Sequence, residues 1–313
     1  MSRCEIPLAL RGRPFTTADA ARVGVSRRQL QGPRFVLLHS GRGVWAVAHE
    51  SRDLRFWLAA DRLVLPSDAA VSYQTGLRLY GAPLDDNVRH WTTLAPVRRT
   101  ARGVVLHRRA DLPVRDVDGI AVLAPLRCLL DAALVLSPLS LIRAGDALLT
   151  AGELTLAEIR GAHSAYGVQR LRQASRLMRV GAESVRETST RLILGIAGLP
   201  EPVLNRDVWN ASGVKIGRPD LLWEGYGVTA EYDGWYHERD ADQRQADILR
   251  SEAFARAGLF RVALTSRDHA QPQVLVDRVW QALADRGYRG ERPRFDVRAW
   301  QCLLQRPRMP KVW

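Results

Sequence analysis

The segment RPDLLWEGYGVTAEYDGWYH, residues 218–237, constrains this chain more than any other. Two apolar-rich runs flank the glycine-bearing turn EGYG, so LLW and VTAEYD are predicted as successive strands of a meander. Side chains alternate along a strand, which puts Thr229, Glu231 and Asp233 on one face and Val228, Ala230 and Tyr232 on the other. Asp220 follows Pro219 and stands eleven residues before Glu231. The apolar face needs a cover. The polar face holds acids that either converge in a pocket or form the solvated side of a surface hairpin.

The flanking residues extend the pattern. ESVRETSTRLILGIAGLP is predicted as a helix that carries Glu187 and stops at Gly198 and Pro200. PVLNRDVW is read as a strand, NASG as a turn, KIGRPDLLW as a second strand bearing Asp220, and VTAEYDG as a third. The helix DADQRQADILRSEAFARAGL and the strand FRVALTS follow. This order gives an α/β sandwich core. If Glu187 and Asp220 reach the face of Glu231, the carboxylates repel unless a cation sits among them, and an oxygen-only set suits Mg2+ or Mn2+. Such an ion readies water for attack on a phosphodiester and stabilises the charge that follows.

Residues 14–46 read as two short helices and a hairpin. Thr16 or Thr17 caps the first helix, Gly24 ends it, and Ser26 caps a second containing Arg27, Arg28 and Leu30. RFVLLHSGRGVWA then forms a hairpin around Gly41 and Gly43, the position of a wing. In a winged helix-turn-helix the second helix enters the major groove, which makes Arg27, Arg28, Arg34 and Arg42 the candidate DNA contacts. A small helical subdomain with solvated arginines is the alternative.

Between Ser51 and Gly181 apolar helices and strands alternate. DAAVSYQTGLRLYGAPL is expected to be one helix, RHWTTLAP and GVVLHRR strands, PLRCLLDAALVL and LSLIRAGDALLTAG helices. His90 and His107 lie here, neither with a second ligand at metal spacing, and both are read as structural. The chain is thus expected to be α/β, a mixed α+β multidomain protein. The expected divisions are a winged helix-turn-helix at 1–50, an α/β middle domain at 51–181, the acid-bearing domain at 182–290 and a basic tail at 291–313, either a phosphate contact or a mobile end.

Net charge is +13 over 313 residues, which favours a polyanionic partner such as DNA. Lysine occurs only at Lys215 and Lys311, so arginine carries the charge, as a GC-rich coding bias would also produce. Cys4, Cys128 and Cys302 are far apart and fit neither a zinc site nor a disulfide framework. No apolar run is long enough to span a bilayer and no secretory leader is evident; the expectation is no membrane association and a cytoplasmic protein.

Two resemblances add to this. FTTADAARVGVSRRQL followed by GVWA, with VSYQTGLRLYGAPL, VVLHRRADLP and GIAVLAPLRCLLDAA behind them, resembles the winged helix and middle region of AbiEi-type antitoxins. That resemblance implies operator DNA binding, autoregulation of a toxin-antitoxin operon and a cognate toxin as partner. Residues 183–270 resemble the PD-(D/E)XK nuclease superfamily, and within it the very short patch repair endonucleases, which implies a restriction-endonuclease-like α/β sandwich. It makes Glu187 the helix acid, Pro219 and Asp220 the PD, and Glu231 the second acid, with Glu187, Asp220 and Glu231 as metal ligands. Asp233 stands where the superfamily lysine is expected. The repair endonucleases also lack that lysine and use a nearby histidine, which nominates His237 as proton acceptor, supported by Asp247, with Arg250 on a phosphate. The implied activity is a metal-dependent DNA endonuclease or nickase; the alternative is an antitoxin or regulator that keeps the shape without turnover.

Overall fold

The computed structural model of the chain describes residues 5–39, 41–96, 102–163, 167–210, 212–233 and 241–307, with backbone alone at 241–244, 246 and 247. It is mixed α/β and falls into two compact units, Met1–Leu79 with Asp85–Cys128, and Tyr80–Leu84 with Leu129–Trp313. Among the described residues no helix is long and apolar enough to cross a membrane.

The first unit opens with β1 (Phe15–Thr16), α1 (Thr17–Arg22), α2 (Arg27–Leu30), β2 (Phe35–His39) and β3 (Val44–Val47). Thr16 and Asp19 cap α1 reciprocally, as Ser26 and Gln29 cap α2, which satisfies the first free N–H groups of two helices too short to stand alone. Phe15, Ala20, Val25, Leu30, Phe35 and Val47 close a small core between them. The hairpin joins β1 in a three-stranded sheet, order β1-β3-β2. Gly43 takes φ +62°, and a Cβ there would stand 2.7 Å from Thr17 Oγ1, so this turn requires glycine.

Next come α3 (Leu54–Arg62), β4 (Ala70–Val71), α4 (Tyr73–Leu79), β5 (Arg89–Thr93), β6 (Val104–Arg108), β7 (Val114–Val117), β8 (Ile120–Leu123) and α5 (Pro125–Ala132). The strands form a sheet of order β6-β5-β4-β8-β7. Residues on both sides of position 50 belong to this unit, tied by the fully buried Asp61. Its carboxylate accepts from His39 Nε2 at 3.0 Å, from Arg89 Nε at 2.7 Å and Nη2 at 3.0 Å, and from Trp91 Nε1 at 3.0 Å.

The second unit contains α6 (Pro138–Thr150), α7 (Leu156–Gly161), α8 (Val168–Ser175), α9 (Val185–Ile196), β9 (Val203–Leu204), β10 (Val208–Trp209), β11 (Lys215–Gly217), β12 (Leu221–Trp223), β13 (Val228–Tyr232), α10 (Ala241–Arg256), β14 (Phe260–Leu264), α11 (Ser266–Ala270), α12 (Pro272–Asp285) and α13 (Val297–Leu304). Its main sheet runs β14-β13-β12-β9, with β13 antiparallel to β12 and parallel to β14. Val228, Ala230, Val262 and Leu264 bury one face of the sheet against Ile193 and Leu194 of α9 and Leu275, Val276 and Val279 of α12.

Four expectations about elements need correction. The single helix expected over DAAVSYQTGLRLYGAPL begins as β4, whose fully buried Ala70 and Val71 are drawn into the ladder between β5 and β8; the helix starts at Tyr73, itself at φ +51°. PVLNRDVW splits into β9 and β10, in different sheets, because Asn205 turns the chain at φ +46°. KIGRPDLLW splits at Pro219, which has no N–H for a ladder. The expected basic tail contains α13, capped by Asp296, and Phe295 and Trp300 pack on the core of the second unit.

Candidate active site

The acid-bearing face of β13 is set by its register. Leu221 pairs with Ala230 and Leu222 with Thr229, so the next step places Asp220 beside Glu231. Tyr232 N–H donates to Asp220 Oδ2 at 2.8 Å and fixes that carboxylate at the strand end. Glu187 comes from the first turn of α9, where Ser184 Oγ accepts from Glu187 N at 3.1 Å. Its Oε2 accepts from Glu183 N at 2.7 Å and from Asn205 Nδ2. Glu187, Asp220, Glu231, Asp233 and Arg250 all line one cavity of about 340 Å³, together with Glu183, Asn205, Arg218, Tyr232 and Arg261.

The carboxylates are not alone there. Both oxygens of Glu231 are taken, Oε1 by Arg250 Nη2 at 2.5 Å and Oε2 by Arg261 Nε. Arg250 also donates to Arg218 O at 3.1 Å, and Arg218 pairs with Glu183 at 2.5 Å. Among the described residues Asp220 has no ion pair, Glu187 has none, and neither Asp220 Oδ1 nor Glu187 Oε1 accepts a hydrogen bond. Burial therefore pushes the Asp220 carboxyl up to about 6, and the negative charges of Glu187 and Glu231 add to the rise against the opposing Tyr232 N–H and Arg250. No group of three or more His, Cys, Asp or Glu stands ready to hold a metal among the described residues. Glu231 is turned to its arginines and one oxygen of Glu187 to Asn205.

His237 lies outside the described residues, as does the side chain of Asp247, whose backbone is in α10. Arg27 and Arg28 are exposed on α2, Arg34 just before β2 and Arg42 in the hairpin turn, all in the first unit. Arg261 was missed by sequence reasoning although a signal existed. In FRVALTS it alternates out of phase with Val262 and Leu264, and its register partner is Thr229 on the acid face.

His90 and His107, both read as structural, meet each other in the fold. Gln74 gives its two amide hydrogens to Asp86 Oδ2 and His90 Nε2, each at 2.8 Å. His90 Nδ1 must then donate to His107 Nε2, 2.9 Å away. Burial pushes both imidazoles down, His90 to about 4 and His107 to about 3. Tyr73 stacks on His107 with ring centroids 3.9 Å apart. Both imidazoles are neutral and hydrogen-bonded in series from Gln74, whose buried Oε1 has no partner among the described residues, and their stacked, buried arrangement suits a structural role.

Comparison of the chain with protein-family models and with curated proteins found no match.

Proposed function

We propose that the second unit is a phosphodiester-cleaving centre of the PD-(D/E)XK type and that the helix pair and hairpin of the first unit dock it on DNA as a winged helix. One observation carries this reading: Glu187 from a helix, Asp220 before one strand and Glu231 on its neighbour line a single cavity. Acids that merely solvated a hairpin would have no reason to be gathered and buried, since burial of an unpaired carboxylate costs free energy unless function retains it.

The donor chemistry fits a hard divalent ion such as Mg2+ or Mn2+, because the set is all oxygen and Asp220 carries charge that no described cation pairs. Asp220 and Glu187 would hold it, joined by Glu231 once Arg250, which donates to Glu231 and to Arg218 O, is displaced. Such an ion supplies Lewis-acid stabilisation of charge on a phosphate and lowers the pKa of water. The chain's own residues do the rest. Arg261 keeps Glu231 aimed along the strand face, Arg250 and Arg218 offer guanidinium groups to a phosphate at the cavity rim, and Tyr232 N–H holds Asp220 in place.

Incubation of the purified chain with supercoiled plasmid and Mg2+ or Mn2+ tests the reading. Nicking by wild type and none by Asp220→Ala is expected; equal nicking by both ends it. The two arginines on Glu231 favour a second reading, in which the fold binds DNA or a cognate toxin without cleaving, as an antitoxin or autoregulator would. That reading expects protection of the chain's own promoter and no metal-dependent nicking.

A further inference from the structure

Beside the carboxylate cavity, on the other side of Tyr232, lies a cationic cluster to which the reading above gives no task. Arg186, exposed on α9, sits over the Tyr232 ring at 5.2 Å. One turn along the same helix, Ser189 Oγ accepts from Arg143 Nη2 of α6 at 2.6 Å. The next residue, Thr190, gives its hydroxyl hydrogen to Arg186 O at 2.8 Å, so His269 Nε2, 3.0 Å away, must be the donor to Thr190 Oγ1. His269 stands edge-on to Tyr232 with ring centroids 5.3 Å apart. Residues from α6, α9, α11 and β13 thus meet at one place.

Charge is what singles this place out. Elsewhere in the second unit, arginines near the cavity have acids: Arg250 and Arg261 have Glu231, Arg218 has Glu183, and Arg191 has Asp146. Among the described residues neither Arg143 nor Arg186 has a carboxylate partner, and the buried Nε of Arg143 donates to nothing. Burial and the neighbouring Arg186 both push the Arg143 guanidinium down; burial first, then Arg186 and Arg143 against the opposing Asp268, hold His269 below its ordinary value, so the cations are close enough to repel. Two guanidinium groups held together without an anion form half of an ion pair. An aromatic ring beneath one of them keeps it in position.

We propose that Arg143 and Arg186 form a subsite for a backbone phosphate of nucleic acid, a neighbour of the phosphodiester presented to the carboxylate cavity. This rests on the phosphodiester-cleaving reading and extends it: Tyr232 lines the cavity and carries Arg186, so one strand end spans both sites. A nucleic acid, rather than an acidic peptide, fits because its charges repeat along the strand and can serve both sites at once.

The test is fluorescence anisotropy of a labelled DNA duplex with the full chain in EDTA, titrated across a range of salt. Each phosphate contact contributes about 0.9 to the slope of log affinity against log salt. Arg143→Ala with Arg186→Ala, which removes the contact to that one phosphate, is expected to reduce the slope by about 0.9, and Arg186→Ala alone by a measurable part of it, while Arg292→Ala, whose partner is Asp277, leaves it unchanged. Arg186 is exposed, so its single variant keeps the test valid if the double variant fails to fold. An unchanged slope for Arg186→Ala in a chain that still nicks plasmid overturns this subsite alone. No duplex binding by wild type overturns the subsite and the nuclease reading together, whereas equal binding of a polyglutamate peptide in place of DNA overturns the nucleic-acid subsite alone.

Discussion

Asp220 concentrates the physical tension of the site. Its carboxyl is raised to about 6, above the ordinary value near 3.8, because burial and two neighbouring acids disfavour its charge. A folded-state value above the unfolded one means that the native chain binds the extra proton between about pH 4 and 6. This group therefore favours folding below that window and costs stability progressively as pH rises through it. Asp220→Asn removes the charge and keeps an acceptor for Tyr232 N–H. It is expected to be more stable than wild type at pH 7.5 by about 1–3 kcal/mol and to converge with wild type near pH 4. Asp19, Asp68, Asp268 and Asp277 are shifted the other way and weaken the fold as pH falls, so the difference between variant and wild type, read by urea unfolding, is the quantity that isolates Asp220. A variant no more stable than wild type at pH 7.5 contradicts the strain assigned here. The same substitution is expected to abolish nicking, a trade of activity for stability typical of a strained functional residue.

At the scale of elements, α9 joins stability to the site. Ser184 caps it and, through the N–H of Glu187, sets where that acid stands. Ser184→Ala is expected to lower unfolding free energy by about 1 kcal/mol and to lower nicking as well, measured by urea titration and plasmid assay on the same preparation. Asp61 makes the parallel case in the first unit. Asp61→Asn leaves the buried Arg89 without its charge partner, and a loss of about 3–5 kcal/mol is expected from the same unfolding measurement. The elements also show what was legible in the sequence. Capping pairs and alternation are local, so Thr16, Ser26, Ser184 and the acid face of β13 could be read directly. Alternation also shows that Arg261 faces away from Val262 and Leu264, but not that it lands on Glu231, because it reaches that acid only through a parallel pairing thirty residues away, and such pairings follow from the whole sheet. Ala70 and Val71 fit a helix or a strand equally well, and only their place between β5 and β8 decided the outcome.

For the whole molecule, the proposed function makes DNA attachment and cleavage separable tasks, because a chain of net charge +13 divides into two compact units. Arg27 and Arg28 lie in the first unit and the carboxylates in the second, so loss of one set need not disturb the fold of the other. Electrostatic attachment falls steeply with salt, whereas hydrolysis of DNA already bound does not depend on how it was captured. Arg27→Ala with Arg28→Ala is therefore expected to weaken duplex binding about 10-fold or more at moderate salt, yet to reach the wild-type nicking rate at saturating protein. Asp220→Ala is expected to show the reverse, with wild-type binding in EDTA and no nicking. If the arginine pair instead lowers the saturated rate while affinity is kept, the first unit takes part in chemistry and the division of labour fails. If neither set changes binding or cleavage, the positive charge reflects arginine-rich coding rather than contact with nucleic acid.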